Sequence, residues 1–166
     1  NYSFNIGVFS SKKFIDKELP DFTIHSLHTE QRENVMQDIG LSFKFYQKIY
    51  GDLGLKHFDA TEISAFHGEA FPGLLHLSHV TFLDGENSGG QEVFCGHEVA
   101  HQWWGIGVDF QSYHDQWLSE AFSEYSALMY MQSVLSNEKF FKMIRKYREK
   151  IIERQKTLLG KGSKCS

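Results

Sequence analysis

Residues 97–101 read His-Glu-Val-Ala-His, a spacing that links a local fold to a particular chemistry. Two histidines four positions apart on a helix lie on one face, one turn apart, so both imidazoles can reach the same metal ion. Glu98 is rotated by about 100° around the helix axis, because an α-helix has about 3.6 residues per turn. Its carboxylate can therefore reach a water molecule on that metal without becoming a ligand. This arrangement is typical of zinc hydrolases, in which the metal keeps one position open for water.

A third protein ligand has to come from elsewhere in the chain, since catalytic zinc sites use three. Glu120 follows His101 after 18 intervening residues, within the stretch Trp-Leu-Ser-Glu-Ala-Phe, which predicts a second helix. A helix, a turn and a returning helix would bring this carboxylate to the metal. The chain holds 9 histidines, so the five-residue motif alone could arise by chance. The added glutamate makes the zinc interpretation much more specific.

Two segments, HEVAHQWWG and WLSEAFSEY, resemble the aminopeptidase N family of gluzincin metallopeptidases. That family has the pattern H-E-x-x-H-x18-E on a thermolysin-like catalytic domain, and the match is strong over residues 93–125. The resemblance implies one Zn²⁺ held by His97, His101 and Glu120. It also implies Glu98 as the general base of a peptidase.

Two residues beside the ligand glutamate bear on how the ligands are held. Ser119 departs from the family, which usually has Asn before that glutamate. Glu124 follows Glu120 by one helical turn and shares its face of the helix. Its carboxylate could accept a hydrogen bond from a ligand imidazole and so fix the tautomer and orientation of that ring. An exposed helix glutamate is an equally good interpretation of Glu124.

The order of the elements predicts an α+β fold, with strands first and helices afterwards. Strands are predicted over residues 2–9, 22–27, 57–64 and 74–82. Helices are predicted over about 29–50, over 91–104 and 115–135, and from 137 onwards. A turn is predicted over 10–20 and a loop over 84–90. We expect one domain over residues 1–166, strand-rich to residue 90 and helical and zinc-binding from residue 91. The resemblance implies part of a thermolysin-like (zincin) catalytic domain, truncated at its C-terminus, whose missing region would contact this chain.

The resemblance also implies a peptide or protein substrate held along the edge strand of the sheet. Residues 71–76, Phe-Pro-Gly-Leu-Leu-His, stand where that strand is expected, which makes Gly73 and Leu74 candidate substrate contacts by strand addition. Aminopeptidases of the family hold the substrate amine with the glutamate of a Met-Glu-Asn segment, and this window contains none. Glu69 is the only carboxylate nearby and precedes the expected strand. We therefore expect weak selection for free N-termini.

Charge is unevenly distributed in a chain of net charge −4. Residues 138–164 carry ten Lys and Arg against three Glu, which is typical of a solvated helix face or of a contact with an acidic partner. No base-reading motif accompanies this segment, so nucleic acid is not an expected partner.

No apolar run approaches the roughly 18 residues of a membrane-spanning helix. Cys95 and Cys165 make no disulfide framework, and the compartment stays open.

Three functions are open at this point. An aminopeptidase N-like zinc peptidase is favoured, and the alternatives are a thermolysin-type endopeptidase and a peptidase-like scaffold with a structural zinc. Glu98 argues against the scaffold, because a structural zinc site needs no base. In the family a tyrosine far downstream of the motif helps to stabilise the oxyanion, and it is expected beyond residue 166. The isolated chain is therefore expected to be weakly active or inactive.

Overall fold

The computed structural model describes residues 3–83 and 90–161, with side chains described as far as residue 155. The predicted strand start at Tyr2, most of the predicted loop over 84–90, and Cys165 lie outside these residues. The described part of the chain forms a β-sheet followed by helices, so the predicted α+β class is confirmed.

The sheet has five strands and mixed directions. The strands are β1 (Ser10–Phe14), β2 (Asp21–Ser26), β3 (His57–Ile63), β4 (Glu69–Phe71) and β5 (Leu74–Ser78). Their spatial order is β1-β2-β3-β5-β4, in which β2, β3 and β5 are parallel and the two outer strands pair antiparallel to their neighbours. The outer strand β4 therefore has one edge without a partner strand within this sheet.

Five helices complete the described structure. They are α1 (Arg32–Tyr50), α2 (His79–Leu83), α3 (Gly90–Ala100), α4 (Gln116–Val134) and α5 (Asn137–Lys161), and a single 3₁₀ turn (Tyr113–Asp115) precedes α4. Among the described residues, none of these helices combines the length and apolar character needed to cross a bilayer.

The core lies between one face of the sheet and α1. Alternate strand residues and helix residues spaced three or four apart are fully buried there, including Phe22, Ile24, Phe58, Leu75 and Leu77 from the sheet and Val35, Ile39, Phe43 and Tyr46 from α1. The Tyr46 hydroxyl donates a hydrogen bond of 3.1 Å to the backbone oxygen of Gly96, which ties α1 to α3. Cys95 is fully buried beside this contact, as a small apolar side chain of α3. The motif helix is thus packed against the core.

Two strand predictions were wrong, the first over its whole described length and the second at its C-terminal end. Residues 3–9 form no strand, and Phe4, Ile6 and Val8 are exposed. Instead β1 forms over residues 10–14, where the sequence predicted a turn, because an edge strand needs only backbone pairing on one side and tolerates exposed lysines. The strand predicted over 74–82 ends at Ser78, where the Ser78 hydroxyl accepts a hydrogen bond from the backbone N–H of Val80 as α2 begins.

Candidate active site

Three side chains from two helices converge at the end of α3. His97 lies in the last turn of α3, His101 follows that helix directly, and Glu120 lies in the second turn of α4. Nε2 of His97 lies 3.0 Å from Nε2 of His101, and Oε2 of Glu120 lies 3.3 Å and 3.7 Å from these two nitrogens. Tetrahedral zinc with bonds of about 2.0–2.2 Å separates its ligand atoms by about 3.3 Å. The three ligand atoms therefore fit one zinc ion, and together they form a group able to hold a metal.

The connection after α3 returns the chain so that α4 packs beside the motif helix. Gly105 has a φ of 102°, in the left-handed region that glycine adopts without strain. The Gly105 N–H donates to the backbone oxygen of Val108 at 2.8 Å, and the Val108 N–H donates to the backbone oxygen of Trp103 at 2.7 Å. A Cβ atom at Gly105 would lie 2.4 Å from Oγ of Ser119. Glycine therefore lets the turn pass close to α4, next to the turn that carries Glu120.

His101 is oriented by its second ring nitrogen. Nδ1 lies 3.0 Å from the backbone oxygen of Trp104, and 3.2 Å and 3.0 Å from the hydroxyl oxygens of Ser119 and Ser123. A proton on Nδ1 can donate to the carbonyl oxygen, which leaves the lone pair of Nε2 facing the other ligands. Burial and the neighbouring His97 lower the pKa of His101, which favours the neutral imidazole that metals require.

His97 is oriented by a carboxylate. Nδ1 of His97 lies 2.8 Å from Oε2 of Glu124, and the other oxygen of Glu124 accepts a hydrogen bond from the Tyr147 hydroxyl of α5. Burial by itself would lower the pKa of His97, but this hydrogen bond and the nearby carboxylates of Glu98, Glu124 and Glu120 raise it overall. Of the two interpretations of Glu124, the geometry favours the contact with an imidazole, that of His97, over a free surface glutamate.

Glu98 is buried beside the three converging side chains, with 5% of its surface exposed. Burial raises its pKa to about 7; His97 opposes this shift, and the carboxylates of Glu120, Glu69 and Glu124 add to it. A carboxylate with such a pKa can both accept and return a proton near neutral pH. A Cβ atom at Gly68 would lie only 2.3 Å from Oε1 of Glu98, so the backbone before β4 packs directly against this carboxylate.

The outer strand β4 borders a cleft of about 490 Å³ that reaches the ligand side chains. Gln102, the residue after His101, holds this strand from the helix side. Its Nε2 donates to the backbone oxygen of Phe71 at 2.9 Å, and its Oε1 accepts from the N–H of Gly73 at 3.0 Å. The side chain is almost fully buried, with 1% exposed, so both bonds are shielded from water.

The structure corrects the predicted substrate strand. Pro72 and Gly73 form the turn of a β4–β5 hairpin, and Gly73 has a φ of 71°. Leu74 lies inside the sheet, since it pairs with Asp59 of β3 and with Phe71 of β4. The sequence predicted one strand over 71–76, but the turn divides this segment, so neither Gly73 nor Leu74 lies on the free edge. That edge belongs to residues 69–71.

Glu69 also lies elsewhere than predicted. It is the first residue of β4 rather than a residue before the edge strand, and it lines the same cleft as Glu98. Its carboxylate lies 3.3 Å from Nε2 of His67 and 3.8 Å from Nδ1 of the buried His76. A carboxylate is therefore present on the strand that borders the three converging side chains, although the sequence has no Met-Glu-Asn segment here.

Several residues around the site were not predicted from the sequence. Gln102 follows the second histidine directly, so its position next to the motif was a usable signal. Gly68, Ser123 and Tyr147 had no such signal, because their contacts with Glu98, His101 and Glu124 depend on how distant segments pack.

Comparisons with known proteins agree with this geometry. Residues 84–161 match the family model described as the Peptidase family M1 domain. Tricorn protease-interacting factor F2 of Thermoplasma acidophilum is 27% identical over 133 residues, which cover 75% of this chain and 17% of that protein. Aminopeptidase O of Mus musculus is 36% identical over 58 residues, which cover 32% of this chain and 7% of that protein. The chain thus spans a small part of the length of each relative, and the resemblance carried by HEVAHQWWG and WLSEAFSEY is confirmed.

Proposed function

We propose that this chain, which carries part of a peptidase family M1 domain, forms the catalytic centre of a zinc-dependent peptidase. The observation that carries the proposal is the convergence of the ligand atoms of His97, His101 and Glu120 beside the buried carboxylate of Glu98. The substrate would be a peptide or protein. The proposed architecture is a thermolysin-like zincin domain, supported by an edge strand that borders the ligands on one side.

In the proposed reaction, His97, His101 and Glu120 hold the zinc, which when bound supplies Lewis-acid polarisation of the peptide carbonyl and activation of a water molecule. Glu98 accepts the proton of the attacking water and returns it to the leaving amine. Glu124 and the Trp104 carbonyl hold the two imidazoles in the orientation that presents Nε2. The free edge of β4 pairs with the substrate backbone.

A second candidate is endopeptidase activity, in which the substrate extends past the catalytic centre in both directions. It is supported by cavities on two sides of His97 and Glu98, one bordered by β4 and one bordered by α5. A scaffold with structural zinc is less well supported, because structural sites usually have four protein ligands and the group found among the described residues has three.

The metal assignment is tested by elemental analysis of the purified full-length protein. We expect about one zinc per chain, and loss of zinc in His101→Ala and in Glu120→Ala, because each removes one of three protein ligands. His114→Ala, which lies in the 3₁₀ turn outside the ligand group, is the matched control. Full zinc in both ligand variants would show that the metal binds elsewhere.

The role of Glu98 is tested by Glu98→Gln, which is nearly isosteric and removes the acid–base function alone. We expect the variant to keep its zinc and to lose peptide hydrolysis by at least about 100-fold, the usual scale for a positioned base. The measurement is kcat/KM on an internally quenched peptide, with zinc content determined on the same sample. An active Glu98→Gln protein would mean that another group is the base.

A further inference from the structure

A second cavity, of about 590 Å³, lies between α3 and α5 and opens onto the catalytic centre. Its inner end is formed by His97 and Glu98. Apolar side chains of both helices line its middle, among them Phe94 of α3 and Met143 of α5. Glu98, the proposed base, lines this cavity. A substrate held along β4 would therefore place a side chain or terminus next to the hydrolysed bond in the cavity.

Two lysines of α5 form the outer wall of this cavity. Lys146 and Lys150 lie one helical turn apart and both line it. Within the described side chains, neither ammonium group lies in an ion pair with a carboxylate, whereas Lys12, Lys13 and Lys44 each do. The basic segment at the end of the sequence therefore directs part of its charge into the catalytic cleft.

The two carboxylates at the inner end of the cavity, Glu124 and Glu98, differ in their surroundings. Glu124 accepts hydrogen bonds from His97 and from Tyr147. Glu98 is buried against Gly68. The charge of Lys150 acts on Glu124 across the cavity, but within the described side chains neither lysine forms an ion pair with a wall carboxylate. An anionic ligand group between the two lysines would supply that pair.

We propose that the cavity between α3 and α5 is a substrate subsite selective for a carboxylate next to the hydrolysed bond, recognised by Lys146 and Lys150. This inference rests on the proposed peptidase function and adds the class of substrate to it. The carboxylate is that of an aspartate or glutamate side chain, or the terminal carboxylate of a short peptide. Because both lysines are exposed, the expected preference is moderate, roughly 10-fold in kcat/KM over a neutral peptide.

The kinetic test uses the full-length zinc-loaded protein and peptides that differ only next to the hydrolysed bond. One set of peptides carries Glu, Gln or Lys on either side of the hydrolysed bond. Each peptide is made with a free C-terminal carboxylate and with a C-terminal amide. Comparing them separates a side-chain carboxylate from a terminal carboxylate as the recognised group. We expect Lys146→Glu/Lys150→Glu to abolish the preference for Glu over Gln and to favour Lys. Lys142→Glu/Arg145→Glu, which makes the same change of charge elsewhere on α5, should keep the wild-type preference.

A binding test separates this inference from the proposed function. The Glu98→Gln protein is titrated with the Glu and Gln peptides by calorimetry, so no hydrolysis is needed. We expect tighter binding of the Glu peptide, lost in the Lys146→Glu/Lys150→Glu background and weakened by added salt. Equal affinity for both peptides, or a preference unchanged by the charge reversal, would overturn the subsite. Absence of hydrolysis by the wild-type zinc-loaded protein, with this binding preference intact in Glu98→Gln, would overturn the peptidase proposal alone.

Discussion

At the scale of single residues, the environment of Glu98 depends on a glycine from another part of the chain. Gly68 directly precedes β4, and its missing side chain is what allows the backbone to lie against the Glu98 carboxylate. Any larger residue would compete with the carboxylate for the same space. The two residues are therefore coupled sterically, although 29 residues separate them in the sequence.

Gly68→Ala tests this coupling. The added Cβ would lie 2.3 Å from Oε1 and 2.4 Å from Cδ of Glu98, so the end of that side chain has to move while the metal ligands stay in place. We expect normal zinc content and a loss of kcat/KM of at least about 10-fold, because a displaced base loses much of its usual 10²–10⁴-fold contribution.

The control for Gly68→Ala is the same substitution in the Glu98→Gln protein. If the alanine acts by displacing the carboxylate, it should cost little more once the base is already gone. A full additive loss in that background, or wild-type activity of the single variant, would show that Gly68 does not act through Glu98.

The convergence of the proposed ligand side chains was predictable because most of its geometry is local. His97, Glu98 and His101 lie within five consecutive residues at the end of α3, so the spacing alone indicates which side chains share a face. Glu120 needed the additional assumption of a returning helix, which the predicted helix around it supported. The orienting contacts of Ser123 and Tyr147 depend on the packing of α4 and α5 against α3, and a sequence pattern carries no information about it.

At the scale of elements, three helices meet around one buried carboxyl group. Asp38 of α1 accepts hydrogen bonds from Gln91 of α3, at 2.9 Å, and from the Tyr130 hydroxyl of α4, at 3.2 Å. Burial raises the pKa of Asp38 from 3.8 to about 6; the two hydrogen bonds oppose this shift, and the charge of Glu92 adds to it. The group that links the helices is therefore costly to ionise.

This shift predicts the pH dependence of stability. The folded state holds the Asp38 proton more tightly than the unfolded chain, so its contribution is fully present below pH 3.8 and is lost as the pH rises through about 6. The stability of Asp38→Asn relative to the wild type should therefore be higher at pH 7.5 than at pH 4. The gain is about 1–3 kcal/mol, since one pKa unit is worth about 1.4 kcal/mol and partial exposure reduces the effect.

The measurement is urea unfolding of the metal-free protein at both pH values, with Glu138→Gln, an exposed residue at the start of α5, as the control. Using metal-free protein removes the effect of zinc binding on stability. A stability difference between variant and wild type that is the same at both pH values would show that ionisation of Asp38 does not destabilise the fold.

The sequence predicted buried elements better than edge elements. The helix α1 and the strands β2 and β3 bury a periodic set of apolar side chains, and their predicted positions agree with the structure to within about three residues. The strand β1 buries almost nothing, so its pairing is decided by backbone hydrogen bonds that leave no side-chain pattern. The three-residue strand β4 was missed for the same reason, and with it the true edge of the sheet.

At the scale of the whole molecule, the cleft has no Met-Glu-Asn anchor for a substrate amine, but Glu69 lies on its bordering strand. Glu69 is partly engaged with His67 and is half-exposed. An exposed carboxylate holds an ammonium group weakly compared with a buried one. The prediction of weak selection for free N-termini therefore stands, with Glu69 as the source of whatever selection remains.

The comparison is between a free-amine peptide and its N-acetylated form on the full-length enzyme. We expect a ratio of kcat/KM below about 100, which corresponds to roughly 2.7 kcal/mol. Glu69→Gln should bring the ratio closer to one, while Glu18→Gln, an exposed carboxylate paired with Lys44 away from the cleft, should leave it unchanged. A ratio above 100 would show that this centre is a true aminopeptidase site.

The bonds made by Gln102 have a mechanical consequence. His101, a proposed metal ligand, and Gln102, which anchors the bordering strand, are consecutive residues of the turn that follows α3. A displacement of this turn would therefore move the proposed ligand and the β4–β5 turn together. In the proposed complex, the distance from the zinc to a peptide lying on β4 would be set within a few bonds of a single backbone segment.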